Sequence, residues 1–98
     1  MLNRKEMLIN ILGEEGAEAA QAASKIIRFG EYDQNPATGL TNRQQLRIEV
    51  IDFMTLVNMT GIMANMTPDH ITELMKKKEK KVEHYLLRSI ENGCMKQY

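Results

Sequence analysis

The sequence predicts an all-α fold: three long helices joined by one long loop, forming a helical bundle completed by oligomerisation. Prolines occur only at Pro36 and Pro68, and between these breaks apolar residues recur at helical spacing without the alternation that marks strands. The chain's 98 residues, 43% hydrophobic and 27% charged, make one small domain, 1–98. A single core of that size is marginal alone, so more than one copy is expected to assemble.

The first helix is expected over about Leu2 to Phe29. Its second half is rich in alanine (Ala17, Ala19, Ala20, Ala22, Ala23), Gly13 and Gly16 weaken its middle, and Gly30 is a natural stop. Gly30 to Leu40 is a turn-forming stretch longer than a plain connection between helices needs, and loops of that length often carry function. Thr41 opens the second helix, with Gln44 completing a capping box, and the helix is expected to run to about Met66. The third begins with Thr67 as cap, Pro68 at the first helical position and Asp69 near the positive end of the dipole, and ends near Asn92 and Gly93. On it Lys76, Lys77, Lys78, Lys80 and Lys81 crowd together with only Glu79 between them, either as a solvated face or as a phosphate-facing edge.

Thirteen basic residues balance thirteen acidic ones, and five aromatics include no tryptophan. Both observations argue against nucleic-acid binding, which leaves a basic footprint or a stacking platform. Cys94 stands alone, so no intrachain disulfide is possible and a reducing, cytoplasmic setting fits. No apolar run is long enough for a membrane span, and charges at Arg4, Lys5 and Glu6 argue against a signal peptide.

The informative feature is acid in apolar stripes. At about 100° per residue, Leu8, Leu12, Ala19, Ala22 and Ile26 share an arc of the first helix, with Glu15 near its middle and Glu18 at its edge. On the second helix Leu46, Val50, Phe53, Leu56 and Val57 form the arc; Glu49 lies inside it and Asp52 between Leu56 and Met59. Burying four carboxylates together costs several kcal/mol in desolvation and like-charge repulsion unless cations neutralise them. All-oxygen ligation selects a hard cation, magnesium or manganese. The competing arrangement pairs these acids with Lys25, Arg28, Arg43 and Arg47. A carboxylate-bridged di-iron bundle is disfavoured because neither His70 nor His84 has a glutamate three residues before it. Those histidines, and Cys94, lack the neighbours a catalytic group needs.

Glu14-Glu15-Gly16-Ala17-Glu18 followed by Glu49-Val50-Ile51-Asp52 resembles the E-E-x-x-E and E-x-x-D signature of the MazG-like all-α nucleoside triphosphate pyrophosphohydrolases. Ala22 to Gly30, with its K-x-x-R-F-G run, is similar to the helix end of small bacterial and phage members. Thr41 to Leu46 resembles the opening of their second helix, so the likeness spans about Leu8 to Asn58, with a weaker match over Lys77 to Leu86. Thirty residues, Ala19 to Ile48, separate the two motifs, near or slightly beyond the usual spacing.

The resemblance implies a dimer or tetramer in which Glu15, Glu18, Glu49 and Asp52 hold magnesium, with manganese able to substitute. It implies hydrolysis of a (deoxy)nucleoside triphosphate or related nucleotide between the α and β phosphates, with Glu15 or Glu49 taking the proton of the attacking water. Glu14 is then a supporting or orienting residue. Lys25, Arg28, Lys77 and Lys81 are candidates for phosphate contact, and Asn58 stands where relatives place an asparagine facing the nucleotide. The alternative is a non-catalytic helical interaction module whose acids are structural, a role that eight methionines also suit.

Overall fold

A computed structural model describes residues 1–97, and its helices are α1 (Arg4–Phe29), α2 (Asn42–Thr60) and α3 (Pro68–Glu91). No strand occurs among the described residues, only an isolated bridge between Gln34 and Thr41, so the fold is all-α as expected. The chain divides into two compact units, Met1–Ala64 with α1 and α2, and a second from Asn65 onward with α3. Tyr98, the end of the expected domain, lies outside the described residues.

α1 starts two residues later than its apolar pattern implies because Asn3 caps it. The Asn3 side chain accepts from the Glu6 amide at 2.8 Å and the Glu6 carboxylate accepts from the Asn3 amide at 3.3 Å, a reciprocal box that satisfies two otherwise orphaned donors. Gly30 ends the helix at φ 95°, its amide donating to the Ile26 carbonyl.

The connection to α2 is hydrogen-bonded throughout its length. The Asn35 side chain accepts from the Ala37 amide at 2.8 Å, and the Asn35 carbonyl accepts from Thr38 and Gly39. Asn42 and Arg43 donate their amides to the carbonyls of Asp33 and Glu31, the Asn42 side chain donates to the Gly30 carbonyl at 2.9 Å, and Arg43 is ion-paired with Glu31. These bonds tie the loop to the first turn of α2.

α2 opens as expected, with Thr41 and Gln44 forming the capping box. It stops at Thr60, six residues before the expected Met66. Gly61 takes the left-handed conformation at φ 67°, its amide bonds to Asn58, and the Ala64 amide closes a turn onto the Gly61 carbonyl. The Thr60 hydroxyl, bonded to the Val57 carbonyl at 2.8 Å, competes with the backbone ladder at the same point. An apolar sequence there is not a helical one.

α1 and α2 pack against each other antiparallel. Leu8, Leu12, Ala19, Ala22 and Ile26 are half-buried or buried, as their arc predicts, and Glu15 shares their seam. On α2 the covered seam is rotated from expectation. Asn42, Gln45, Leu46, Glu49, Asp52, Leu56, Val57 and Thr60 are the covered positions, so Leu46, Leu56 and Val57 of the expected arc are covered while Val50 and Phe53 remain 42% and 36% exposed. The rotation moves Glu49 and Asp52 closer to the middle of the contact. The Phe53 ring meets α1 at Gly16, where a Cβ would stand 3.5 Å from it, an ordinary van der Waals contact.

In the second unit Thr67 caps α3 by accepting from the His70 amide at 3.1 Å, Pro68 occupies the first turn, and the helix ends at Asn92, all as predicted. Among the described residues no helix is long and apolar enough to cross a membrane.

Candidate metal centre

Glu15 and Glu18 stand one turn apart on α1 and reach the same point on α2, where Glu49 meets them. One carboxylate oxygen from each lies within 4.8 Å of the others. Oxygens on opposite sides of a magnesium ion are about 4 Å apart, so small side-chain rotations let one hard cation gather all three. Glu15 Oε2 and Glu49 Oε2 are buried and have no hydrogen-bond partner. Buried carboxylate oxygens are ordinarily satisfied, and this lack distinguishes the cluster from acids gathered on a solvated surface.

The electrostatics agree. Glu15, and after it Glu49, raises the carboxyl pKa of exposed Glu18 above its ordinary value through like-charge repulsion. The salt-bridge arrangement is absent: among the described residues the ion pairs are Arg43 with Glu31 and Lys77 with Glu73, and neither involves these acids. The donor set and its orphaned oxygens fit a divalent cation.

Asp52 is half-buried on the covered side of α2 but stands outside the trio that shares one point. Glu14 is exposed. Lys25 lies on the wall of a polar cavity of about 310 Å³ whose lining includes Glu18 and Glu49. Arg28 instead places its guanidinium 5.2 Å from the centre of the Phe29 ring, a cation–π contact. Asn58 is exposed, and its carbonyl serves the turn at Gly61. Lys77 and Lys81 belong to the second unit, where they line a shallow cavity with Leu74 and Lys78, Lys77 standing 3.6 Å from Glu73.

The cavity wall also brings in Gln21, Asn35, Leu40, Asn42 and Gln45; the sequence named none of them as a site residue, although Asn35 and Leu40 lie in the Gly30 to Leu40 loop whose length pointed to function. Gln21 follows Glu18 by three residues and Gln45 precedes Glu49 by four, so helical spacing from the acids was the available signal. Comparison with models of known families, with curated proteins and with solved structures gives no match to this chain.

Proposed function

We propose that the protein is a magnesium-dependent nucleotide pyrophosphohydrolase of the MazG-like kind. It cleaves a (deoxy)nucleoside triphosphate or related nucleotide between the α and β phosphates, giving the monophosphate and pyrophosphate. The pair of buried, unpartnered oxygens on Glu15 and Glu49 carries this reading, because a helix seam that leaves two anionic oxygens unsatisfied is built for a cation.

Glu15, Glu18 and Glu49 hold the metal, with Asp52 as a fourth candidate ligand. Magnesium bound there supplies charge neutralisation for the triphosphate and Lewis acidity at the phosphoryl centre. Glu15 or Glu49 accepts the attacking water's proton on a carboxylate oxygen. Lys25, on the cavity wall, offers its ammonium to the phosphates. The cavity's roughly 310 Å³ is at the small end for ligand pockets, about 300–1,000 Å³. That size suits part of a nucleotide, with the remainder held by a second subunit of a dimer or tetramer.

The test is release of pyrophosphate and monophosphate from a panel of canonical and modified nucleoside triphosphates, with magnesium, with manganese and with chelator. Metal-dependent turnover by the parent chain and its loss in a folded Glu49→Gln variant are expected. Without metal the same variant melts at a higher temperature than the parent, because it removes one of the crowded charges, and its gain on adding magnesium shrinks. A variant that instead melts lower with or without magnesium identifies Glu49 as a structural residue and supports the interaction-module alternative.

A further inference from the structure

We infer that Gln45 is the positioning residue of this cluster, holding Glu49 so that one defined oxygen faces the cation; the inference rests on the metal-site reading above. The Gln45 carboxamide Nε2 donates to Glu49 Oε1 at 2.7 Å in a partly buried setting, while Glu49 Oε2 is buried without a partner. The hydrogen bond makes the two oxygens unequal. Oε1 is occupied by the amide, and Oε2 is left for the metal.

Geometry upstream keeps Gln45 in place. Its own amide bonds to the Thr41 carbonyl at 2.9 Å, in the turn that the Thr41 and Gln44 box fixes, and four residues later Glu49 falls on the same helix face. Among the described residues, Glu49 is the one member of the trio with an amide donor. It is therefore the member whose orientation is set before a cation arrives.

The donor's chemistry matters as much as its position. A lysine or arginine at 45 can satisfy the same oxygen, but its charge offsets the anionic charge that attracts the cation. A carboxamide donates while leaving Glu49 fully anionic. Neutral groups that orient a ligand's second atom commonly govern metal affinity by about tenfold to a hundredfold.

Two variants of the full chain test this. Gln45→Met keeps an unbranched, helix-favouring side chain and removes the donor; Gln45→Lys keeps a donor and adds charge. Magnesium dissociation constants by calorimetry, manganese spectra by electron paramagnetic resonance, and melting temperatures with and without chelator are read on each. Gln45→Met is expected to weaken magnesium binding by about tenfold or more and to broaden the bound-manganese spectrum at unchanged helix content. Gln45→Lys is expected to raise the metal-free melting temperature and remove most of the magnesium-induced rise. A parent-like magnesium affinity in Gln45→Met overturns the inference; if that variant does not fold, a parent-like magnesium affinity in Gln45→Ala, which also lacks the donor and favours the helix, does so. Glu49→Gln separates the two levels. Magnesium binding that survives Glu49→Gln sinks the metal site itself, whereas binding lost there but kept in Gln45→Met sinks only the positioning role.

Discussion

Glu18 is the exposed member of the acidic trio, Glu15 and Glu49 being half-buried, and it registers the charge of the other two. Repulsion from Glu15 and Glu49 raises its carboxyl pKa, so the folded chain binds a proton there more tightly than the unfolded chain. Stability from this group is fully present below the unfolded glutamate pKa and is lost as pH rises through the folded one. In chelator, the melting-temperature advantage of Glu18→Gln over the parent should therefore widen between about pH 4 and about pH 7. Added salt should narrow it, because the group is solvated and screened. A constant gap across that range would show that the repulsion is not felt. The acids were legible in the sequence because a 3.6-residue period puts Glu15 into a stripe of Leu, Ala and Ile and Glu49 into one of Leu, Val and Phe. Gln21, Asn35, Asn42 and Gln45 were not. A neutral amide on a helix edge or in a loop looks solvated until the fold places another element opposite it.

At the scale of the element, caps and glycines decide where helices begin and end. Thr41 and the Thr67–Pro68 pair were readable because each places a side-chain acceptor or a fixed φ immediately before a periodic run. The end of α2 was not, since Gly61-Ile62-Met63-Ala64 continues the apolar character of the helix, and it is the left-handed φ of Gly61 together with the Thr60 hydroxyl on the Val57 carbonyl that breaks it. The glycines accordingly carry opposite predictions. Gly13 lies inside α1, and a Cβ there meets nothing within 4 Å, so Gly13→Ala should stabilise by about 0.8 kcal/mol, a melting shift of a few degrees. Gly61→Ala places a side chain in the left-handed region and should destabilise by about 1–2 kcal/mol. Thr41→Ala should cost about 1 kcal/mol. It should also loosen the turn that carries Gln45, weakening magnesium binding where Gly13→Ala leaves it unchanged. Urea unfolding with and without magnesium measures all three, and equal magnesium affinity in Thr41→Ala and Gly13→Ala would detach the cap from the cluster.

For the molecule as a whole, the deciding quantity is how little the α1–α2 unit encloses. Ala22 is its one buried apolar residue, while Ile51, Met54 and Phe29 stay about three-fifths exposed and Ile27 more so. Covering a large aliphatic side chain contributes about 1.5–3 kcal/mol, so this uncovered surface favours association over a lone unit. Ile26 of α1 and Leu46, Val50 and Ile51 of α2, with Glu31, Arg43 and Arg47 beside them, line an apolar groove of about 440 Å³. Self-association through this groove predicts a dimer or tetramer by sedimentation equilibrium and a melting temperature that rises with protein concentration. Ile51→Glu, which puts a charge into the groove, should raise the dissociation constant by about tenfold or more. A monomer whose melting temperature is independent of concentration would refute it. The same variant connects assembly to the proposed chemistry, in which a second subunit holds the part of the nucleotide that the cavity of about 310 Å³ does not. Hydrolysis by Ile51→Glu should then fall at low protein concentration and recover as concentration drives reassociation, while the metal ligands on each chain remain intact.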